Sequence, residues 1–364
     1  MKRIYRLLSF CLTVLLLTLG LSACLPSGET GTTSTLPPEH GSITSNFSIH
    51  FIDVGQADAA LIVCTGKTML IDGGNKEDSN RIYAYLQKQG ITHLDYVVCT
   101  HAHEDHVGGL PGALTAATVG RVFAPVKSYD TKAFSDFVIK TEVQGKQIEV
   151  PHAGDKFLLG DATVTVIGPV KSYEETNDTS IVLRIVYGNT SFLFTGDMES
   201  TAEKDLIESG AVLKSTLLKV GHHGSSTSTS YRFLREVAPT YGVISVGTDN
   251  SYGHPNEEVL SRLRDADVTL YRTDLQGDVI CRSDGNTLTF TTKKTAQQPV
   301  NPTEPSSTSS ENAVTEYAYI GNVNSKTFHT PDCRSLPAEQ NRIYFTSREE
   351  AVEAAYSPCG NCDP

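Results

Sequence analysis

Tyr96-Val-Val-Cys-Thr-His101-Ala-His103-Glu-Asp105-His106-Val-Gly-Gly109 carries an apolar strand to an abrupt polar end. Four side chains able to bind a metal, His101, His103, Asp105 and His106, fall within six consecutive residues. Neutral imidazole and carboxylate are the usual nitrogen and oxygen donors to Zn²⁺. A turn of this kind can aim His101 and His103 at one ion, and Asp105 and His106 at another. Three imidazoles packed together without a metal would repel when protonated and leave donors unsatisfied when buried, which argues against an ordinary polar loop. The double glycine, Gly108-Gly109, is expected to let the backbone turn tightly away from the site.

Upstream, Phe47–Asp53, Ala59–Cys64 and Lys67–Asp72 are alternating or apolar runs bounded by glycine, and read as strands. Arg81–Gln89, stopped by Gly90, reads as a helix. Downstream, strands are expected at 163–167, 180–186, 191–194, 216–220, 241–246 and 279–282. Helices are expected at 200–209, 228–237 and 256–265. Strands and helices alternate without a simple βαβ repeat, which suits an α/β fold of two sheets with helices outside. No internal repeat of fixed period is present.

The cluster matches in full the His-x-His-x-Asp-His signature of the metallo-β-lactamase superfamily. Further motifs extend the likeness: Phe51-Ile-Asp-Val-Gly-Gln-Ala-Asp58, Leu70-Ile-Asp-Gly-Gly74, Phe194-Thr-Gly-Asp197, Lys219-Val-Gly-His222-His223-Gly-Ser225 and Ser245-Val-Gly-Thr-Asp-Asn-Ser-Tyr-Gly-His254-Pro255. Together they cover most of 46–292 and resemble the extracellular hydrolase domain of ComEC-type DNA-uptake proteins. The resemblance implies an αββα sandwich, with Asp197 bridging two metals and Asp72 orienting the site through hydrogen bonds. Asp58 and Gln56 are expected to line the pocket.

Many superfamily members carry a further His between the first cluster and the bridging Asp. Here that interval holds only His152, in a Pro-His-Ala-Gly loop that reads as surface. ComEC-type sequences are similar to this one in having Asn177-Asp-Thr-Ser180 there, so either the first metal's shell is completed differently or one site is weak. His222, His223 and His254 compete for the last ligand. His254 is favoured because the family's final His also follows a strand well beyond the bridging Asp.

Two Zn²⁺ ions, with Mn²⁺ as the alternative, would share a water and lower its pKa toward neutrality for attack on phosphorus or carbonyl carbon. Asp105 and Asp197 would orient that nucleophile. His222 or His223 would act as general acid or clamp the developing charge. The ComEC resemblance selects a phosphodiester, DNA above all, as substrate. A DNA-capturing surface protein with purely structural metal sites, and a hydrolase of small esters or lactams, are the alternatives. No obligate protein partner is readable.

The composition constrains this reading. Thirty Lys and Arg against forty-two Asp and Glu give a net charge of −12, so no broad electrostatic pull on nucleic acid exists. Phosphate must be held locally, by metal. Cys64 and Cys99 lie in apolar runs and read as small buried hydrophobes.

A linker rich in Pro, Ser and Thr, 293–316, separates a small unit at 317–364. There His329-x₃-Cys333 is followed by Cys359-x₂-Cys362, the donor set of a structural Zn²⁺ site. The unit resembles Ada-like metal-binding modules. A unit this small needs a metal or disulfide staple to fold, and a Cys359–Cys362 disulfide is the rival staple.

Residues 1–24 read as an export signal. Lys2, Arg3 and Arg6 precede an apolar run from Leu7 to Leu21, and Leu21-Ser-Ala-Cys24 resembles the lipobox of bacterial lipoproteins. Lipid on Cys24 would tether the chain to the cell membrane through residues 25–45, on the extracellular or periplasmic side; a plain transmembrane anchor is the rival reading.

Overall fold

The computed structural model describes residues 46–294, 318–345, 347–360 and 362. The export signal, Cys24, the tether and most of the linker lie outside the described residues. Among the described residues, no helix is long and apolar enough to cross a membrane.

The first sheet begins with β1 (Phe47–Phe51), β2 (Ala60–Cys64), β3 (Lys67–Ile71), β4 (His93–Val98), β5 (Thr118–Phe123) and β6 (Ile148–Glu149). The second holds β7 (Lys156–Leu159), β8 (Ala162–Gly168), β9 (Val182–Tyr187), β10 (Thr190–Phe194), β11 (Leu217–Lys219), β12 (Tyr241–Ile244) and β13 (Thr269–Arg272). The chain then returns to the first sheet as β14 (Val279–Ser283) and β15 (Leu288–Thr292), giving the order β15-β14-β1-β2-β3-β4-β5-β6. The second sheet runs in reverse chain order from β13 to β7.

Alternation along the strands sorts side chains into separate cores. Phe47, Ile49 and Phe51 of β1 meet Phe192 and Phe194 of β10 between the sheets, where Phe47 and Phe192 stack at 4.8 Å. Leu61 and Leu70 face the other way, onto α1 (Ser79–Lys88), α3 (Leu110–Ala116) and α4 (Lys132–Val143), the helices that follow and flank the short α2 (Glu104–Val107). Leu193 and Leu218 pack outward against α5 (Ser200–Glu208), α6 (Tyr231–Val237) and α7 (Glu257–Asp265); a short α8 (Thr273–Gln276) follows. Helices thus cover both outer faces. Strands buried on both sides read as continuous apolar runs, which is why the sequence marked them so clearly.

Several boundaries differ from expectation. The strand expected at 180–186 starts at Val182, because Asn177–Thr179 form a 3-10 turn. The helix expected from 228 starts at Tyr231, where the Ser230 side chain accepts from Phe233 N. Lys293 and Lys294 still donate backbone hydrogen bonds to Asp278 O and Gln276 O, so the fold extends past 292. The double glycine is not a left-handed turn: a Cβ on Gly109 would sit 1.9 Å from Gly73 O, so its role is close approach of two loops.

The small C-terminal unit has four strands, β16 (Tyr319–Asn322), β17 (Thr327–His329), β18 (Arg342–Phe345) and β19 (Ser357–Pro358), in the order β18-β16-β17-β19. Helix α9 (Arg348–Glu353) precedes β19, and Phe328, Phe345, Ala351 and Tyr356 form its core.

Candidate metal centre

Strands β3 to β6 and β10 to β13 are parallel, and ligands in such sheets collect beyond the carboxyl ends of the strands. Asp72 follows β3, His101 follows β4, Asp197 follows β10, His222 and His223 follow β11, and the loop 245–256 follows β12. Gly73 N donates to His106 O, and Asp58 N to Asp105 O, pinning the cluster loop to its neighbours.

Asp197 is the hub. Its Oδ2 lies 3.3 Å from His106 Nε2, 3.6 Å from His223 Nε2, 3.7 Å from His222 Nε2 and 3.9 Å from His101 Nε2. His103 Nδ1 lies 3.1 Å from His101 Nε2, and Asp105 Oδ2 lies 3.3 Å from His223 Nε2. The imidazole–carboxylate contacts are close but not aligned as hydrogen bonds: Asp197 Oδ1, His106 Nε2 and His223 Nε2 are buried with no hydrogen-bond partner. Orphaned buried polar atoms are costly unless something else binds them. Asp105, His106, Asp197 and His223 each offer a donor atom, all within 4.8 Å of one another. The donor set and its orphaned atoms fit divalent metal.

Surrounding groups fix which nitrogens face the centre. Thr100 N and Oγ1 each donate to Asp72 at 2.7 Å, and Asp72 Oδ2 lies 2.9 Å from His106 Nδ1. That contact keeps the proton on Nδ1 and turns Nε2 inward. His223 Nδ1 lies 2.9 Å from Ser245 O in the same manner. Ser180 Oγ accepts from Asp197 N at 3.1 Å, and Asn177 Nδ2 donates to Glu199 Oε1, which faces His222 Nδ1 at 3.4 Å. Asp72, His222 and His223 adopt left-handed backbone, at φ 56°, 50° and 52°. Such strain in non-glycine residues costs about 1–3 kcal/mol each and clusters at functional sites.

The electrostatics follow from crowding. Burial alone would raise the Asp197 carboxyl, but the imidazoles of His106 and His223 hold it well below its ordinary value. Burial opposes charge on His106, yet Asp197, Asp105 and Asp72 raise it well above the usual imidazole value. Burial likewise opposes charge on His223, which Asp197 and Asp58 raise. His101 is pushed well below it by burial and by His106.

Of the residues named from the sequence, His101, His106, His222 and His223 lie around Asp197. His254 lies outside the group around Asp197: its Nδ1 faces Gln56 Nε2 at 3.3 Å, and its ring meets the edge of His222 at 5.7 Å. The left-handed backbone at 222 and 223 accompanies imidazoles whose Nε2 atoms both face Asp197. His152 is exposed. Asp58, expected beside the pocket, is buried and accepts from Lys219 Nζ at 2.8 Å. Lys219 and Glu199 went unnoticed as site residues, although a lone cation inside the apolar run Leu217-Leu-Lys-Val220 is itself a signal.

In the C-terminal unit, His329, Cys333, Cys359 and Cys362 bring their donor atoms within 4.8 Å of one another. None of the three cysteines is in a disulfide, and burial pushes the Cys333 thiol up to about 12. Three sulfurs and one imidazole make a closed tetrahedral donor set, which suits structural Zn²⁺.

The model of the metallo-beta-lactamase superfamily matches residues 52–248, and that of the metal binding domain of Ada matches 307–364. The chain is 28% identical to ComE operon protein 3 of Bacillus subtilis over 68% of this chain and 34% of that protein. It is 32% identical to competence protein ComA of Neisseria gonorrhoeae over 62% of this chain and 30% of that protein. It therefore spans about a third of the length of these curated relatives. Among solved structures, the metallo-beta-lactamase fold protein YhfI from Bacillus subtilis covers 67% of this chain and 100% of its own, with 12% identity and a TM-score of 0.43.

Proposed function

From the premise that the chain belongs to the metallo-beta-lactamase superfamily and is related to competence proteins, we propose that it is a metal-dependent phosphodiesterase acting on DNA. The observation that carries the reading is that the kinship with competence proteins spans a centre of orphaned imidazole and carboxylate atoms around Asp197.

In this reading His101, His103 and His222 would hold one ion and Asp105, His106 and His223 a second, with Asp197 available to either. Bound there, divalent metal supplies Lewis-acid activation of water and neutralises charge on the phosphate. The protein's own groups do the rest. Asp72 and Ser245 O keep the His106 and His223 protons on Nδ1, leaving Nε2 free. Asp105, more open to solvent than the buried Asp197, orients the attacking water. Glu199 faces His222 Nδ1 and holds that ring toward Asp197. With a net charge of −12 the chain has little general attraction for nucleic acid, so affinity must come from groups beside the scissile phosphate.

The proposal extends to location: lipid on Cys24 would hold the enzyme at the outer face of the cell membrane, where it would meet extracellular or periplasmic DNA. The test is incubation of the zinc- or manganese-loaded full chain with labelled DNA, bis-p-nitrophenyl phosphate and a β-lactam, beside Asp105→Ala. Cleavage of both phosphodiesters, lost in Asp105→Ala, is expected. Intact phosphodiesters with a cleaved lactam would sink the reading.

A further inference from the structure

Tyr252 lies on the loop that follows β12, beside His254. It is 70% exposed, yet its ring is stacked on His254 at 5.7 Å and 25°. His254 in turn meets the edge of His222 at 5.7 Å, and His222 Nε2 faces Asp197 at 3.7 Å. A single exposed tyrosine is ordinary on a protein surface. What sets Tyr252 apart is how firmly its loop is held.

Asn250 closes the loop on itself. Its Oδ1 accepts from Tyr252 N and His254 N, and its Nδ2 donates to Gly247 O and His254 O. Gln56, from a distant part of the chain, accepts from Gly247 N with Oε1 and sets Nε2 against His254 Nδ1. Asn256 Nδ2 adds a bond to Gly253 O. The outer face of the Tyr252 ring is therefore open to solvent but fixed in direction, two ring contacts away from the metal-facing imidazole.

A fixed aromatic face beside a centre read as handling phosphodiesters, on a protein of net charge −12, has one obvious ligand: another flat ring joined to that phosphate. We propose that Tyr252, backed by His254, is a stacking platform for a nucleobase next to the scissile phosphodiester. It thereby selects nucleotide substrates, in strands with unpaired bases, over simple phosphodiesters. The inference rests on the phosphodiesterase reading for the identity of the ligand. Every base has a π-face, so the platform is tolerant of sequence, and it needs an unstacked base, which a closed duplex does not offer.

The test uses the full metal-loaded chain as wild type, Tyr252→Ala and Tyr252→Trp. Binding of a fluorescein-labelled oligothymidylate is followed by anisotropy on an Asp105→Ala background. Hydrolysis of the same oligonucleotide and of an abasic strand of equal length, which has no ring to stack, is measured with Asp105 intact. Tyr252→Ala is expected to weaken oligonucleotide binding and raise KM roughly 5- to 100-fold, with kcat little changed. Tyr252→Trp should retain affinity, and KM for the abasic strand should stay the same in all three. Oligonucleotide affinity unaltered by Tyr252→Ala, or an equal loss on both substrates, overturns the platform. Tyr252-dependent binding without hydrolysis of either substrate upholds the platform and fails the phosphodiesterase reading instead.

Discussion

Lys219 Nζ donates to Asp58 Oδ2 at 2.8 Å with both side chains buried, and Asp58 Oδ1 lies 3.6 Å from His223 Nδ1. The pair joins strand β11 to the loop after β1 beneath the metal centre. A buried ion pair is weak evidence of net stability, but removing one partner strands the other charge. Lys219→Met is therefore expected to destabilise the hydrolase domain by about 3–5 kcal/mol in urea unfolding. Adding Asp58→Asn should recover part of that loss; a Lys219→Met variant as stable as wild type would show that Asp58 is satisfied elsewhere.

Asp72 controls the tautomer of His106 without facing the metal side of the ring. Replacing such a carboxylate partner typically costs 10- to 100-fold in metal affinity. Asp72→Asn should weaken zinc binding by that factor in a competition assay with a chromophoric chelator, while the circular dichroism spectrum stays native. Unaltered affinity would mean that the Asp72 contact does not set the ring.

His223, more than His254, has the geometry of a metal ligand. His223 Nε2 is buried, orphaned and 3.6 Å from Asp197, whereas His254 is pushed down to about 4 by burial and the nearby imidazoles and pairs with Gln56. His223→Ala should lose about one zinc per chain by elemental analysis. His254→Ala should keep the wild-type count, and loss of zinc from His254→Ala alone would restore the original assignment.

The difference between these two histidines shows what the sequence could carry. His101 to His106 are local, so one strand end and one short helix deliver them, and spacing alone was enough. The sandwich was legible for a similar reason, since strands buried on both faces announce themselves as apolar runs. Choosing between His223 and His254 required knowing that 222 and 223 turn left-handed, a conformation residue type does not signal outside glycine and asparagine. The partner of Lys219 sits 161 residues away, where no periodicity reaches. Helix α4 was overlooked although Ala133, Phe134, Phe137 and Thr141 bury one face at helical spacing and Thr131 caps it.

The C-terminal unit is small enough that its metal is its fold. Phe328, Phe345, Ala351 and Tyr356 are a slight core, and structural zinc in such modules contributes about 10–16 kcal/mol of apparent binding energy. Cys333→Ser is expected to lower the zinc count by one and abolish the unit's dispersed amide signals, leaving the hydrolase domain's melting temperature unchanged. A folded Cys333→Ser unit would favour the rival staple, a Cys359–Cys362 disulfide, which mass spectrometry under non-reducing conditions would detect.

Protons and metal compete at the same nitrogens of the hydrolase site. Burial lowers the affinity of His106 and His223 for a proton, but the carboxylates around them more than reverse this, and both end above the ordinary 6.5. In the metal-free protein those protons stabilise the fold fully below that value, and the contribution is lost as pH rises through the raised folded values. Asp197 is depressed, so its contribution is present above 3.8, is lost only as pH falls through its lower folded value, and stays constant between pH 6 and 8. Zinc needs the Nε2 atoms free and must displace each proton, which weakens binding about tenfold per pH unit per proton displaced. The rise in Tm on adding zinc should therefore be larger at pH 8 than at pH 6, with net proton release in calorimetry at pH 7. An equal rise at both values would mean that zinc binds without displacing protons from His106 and His223.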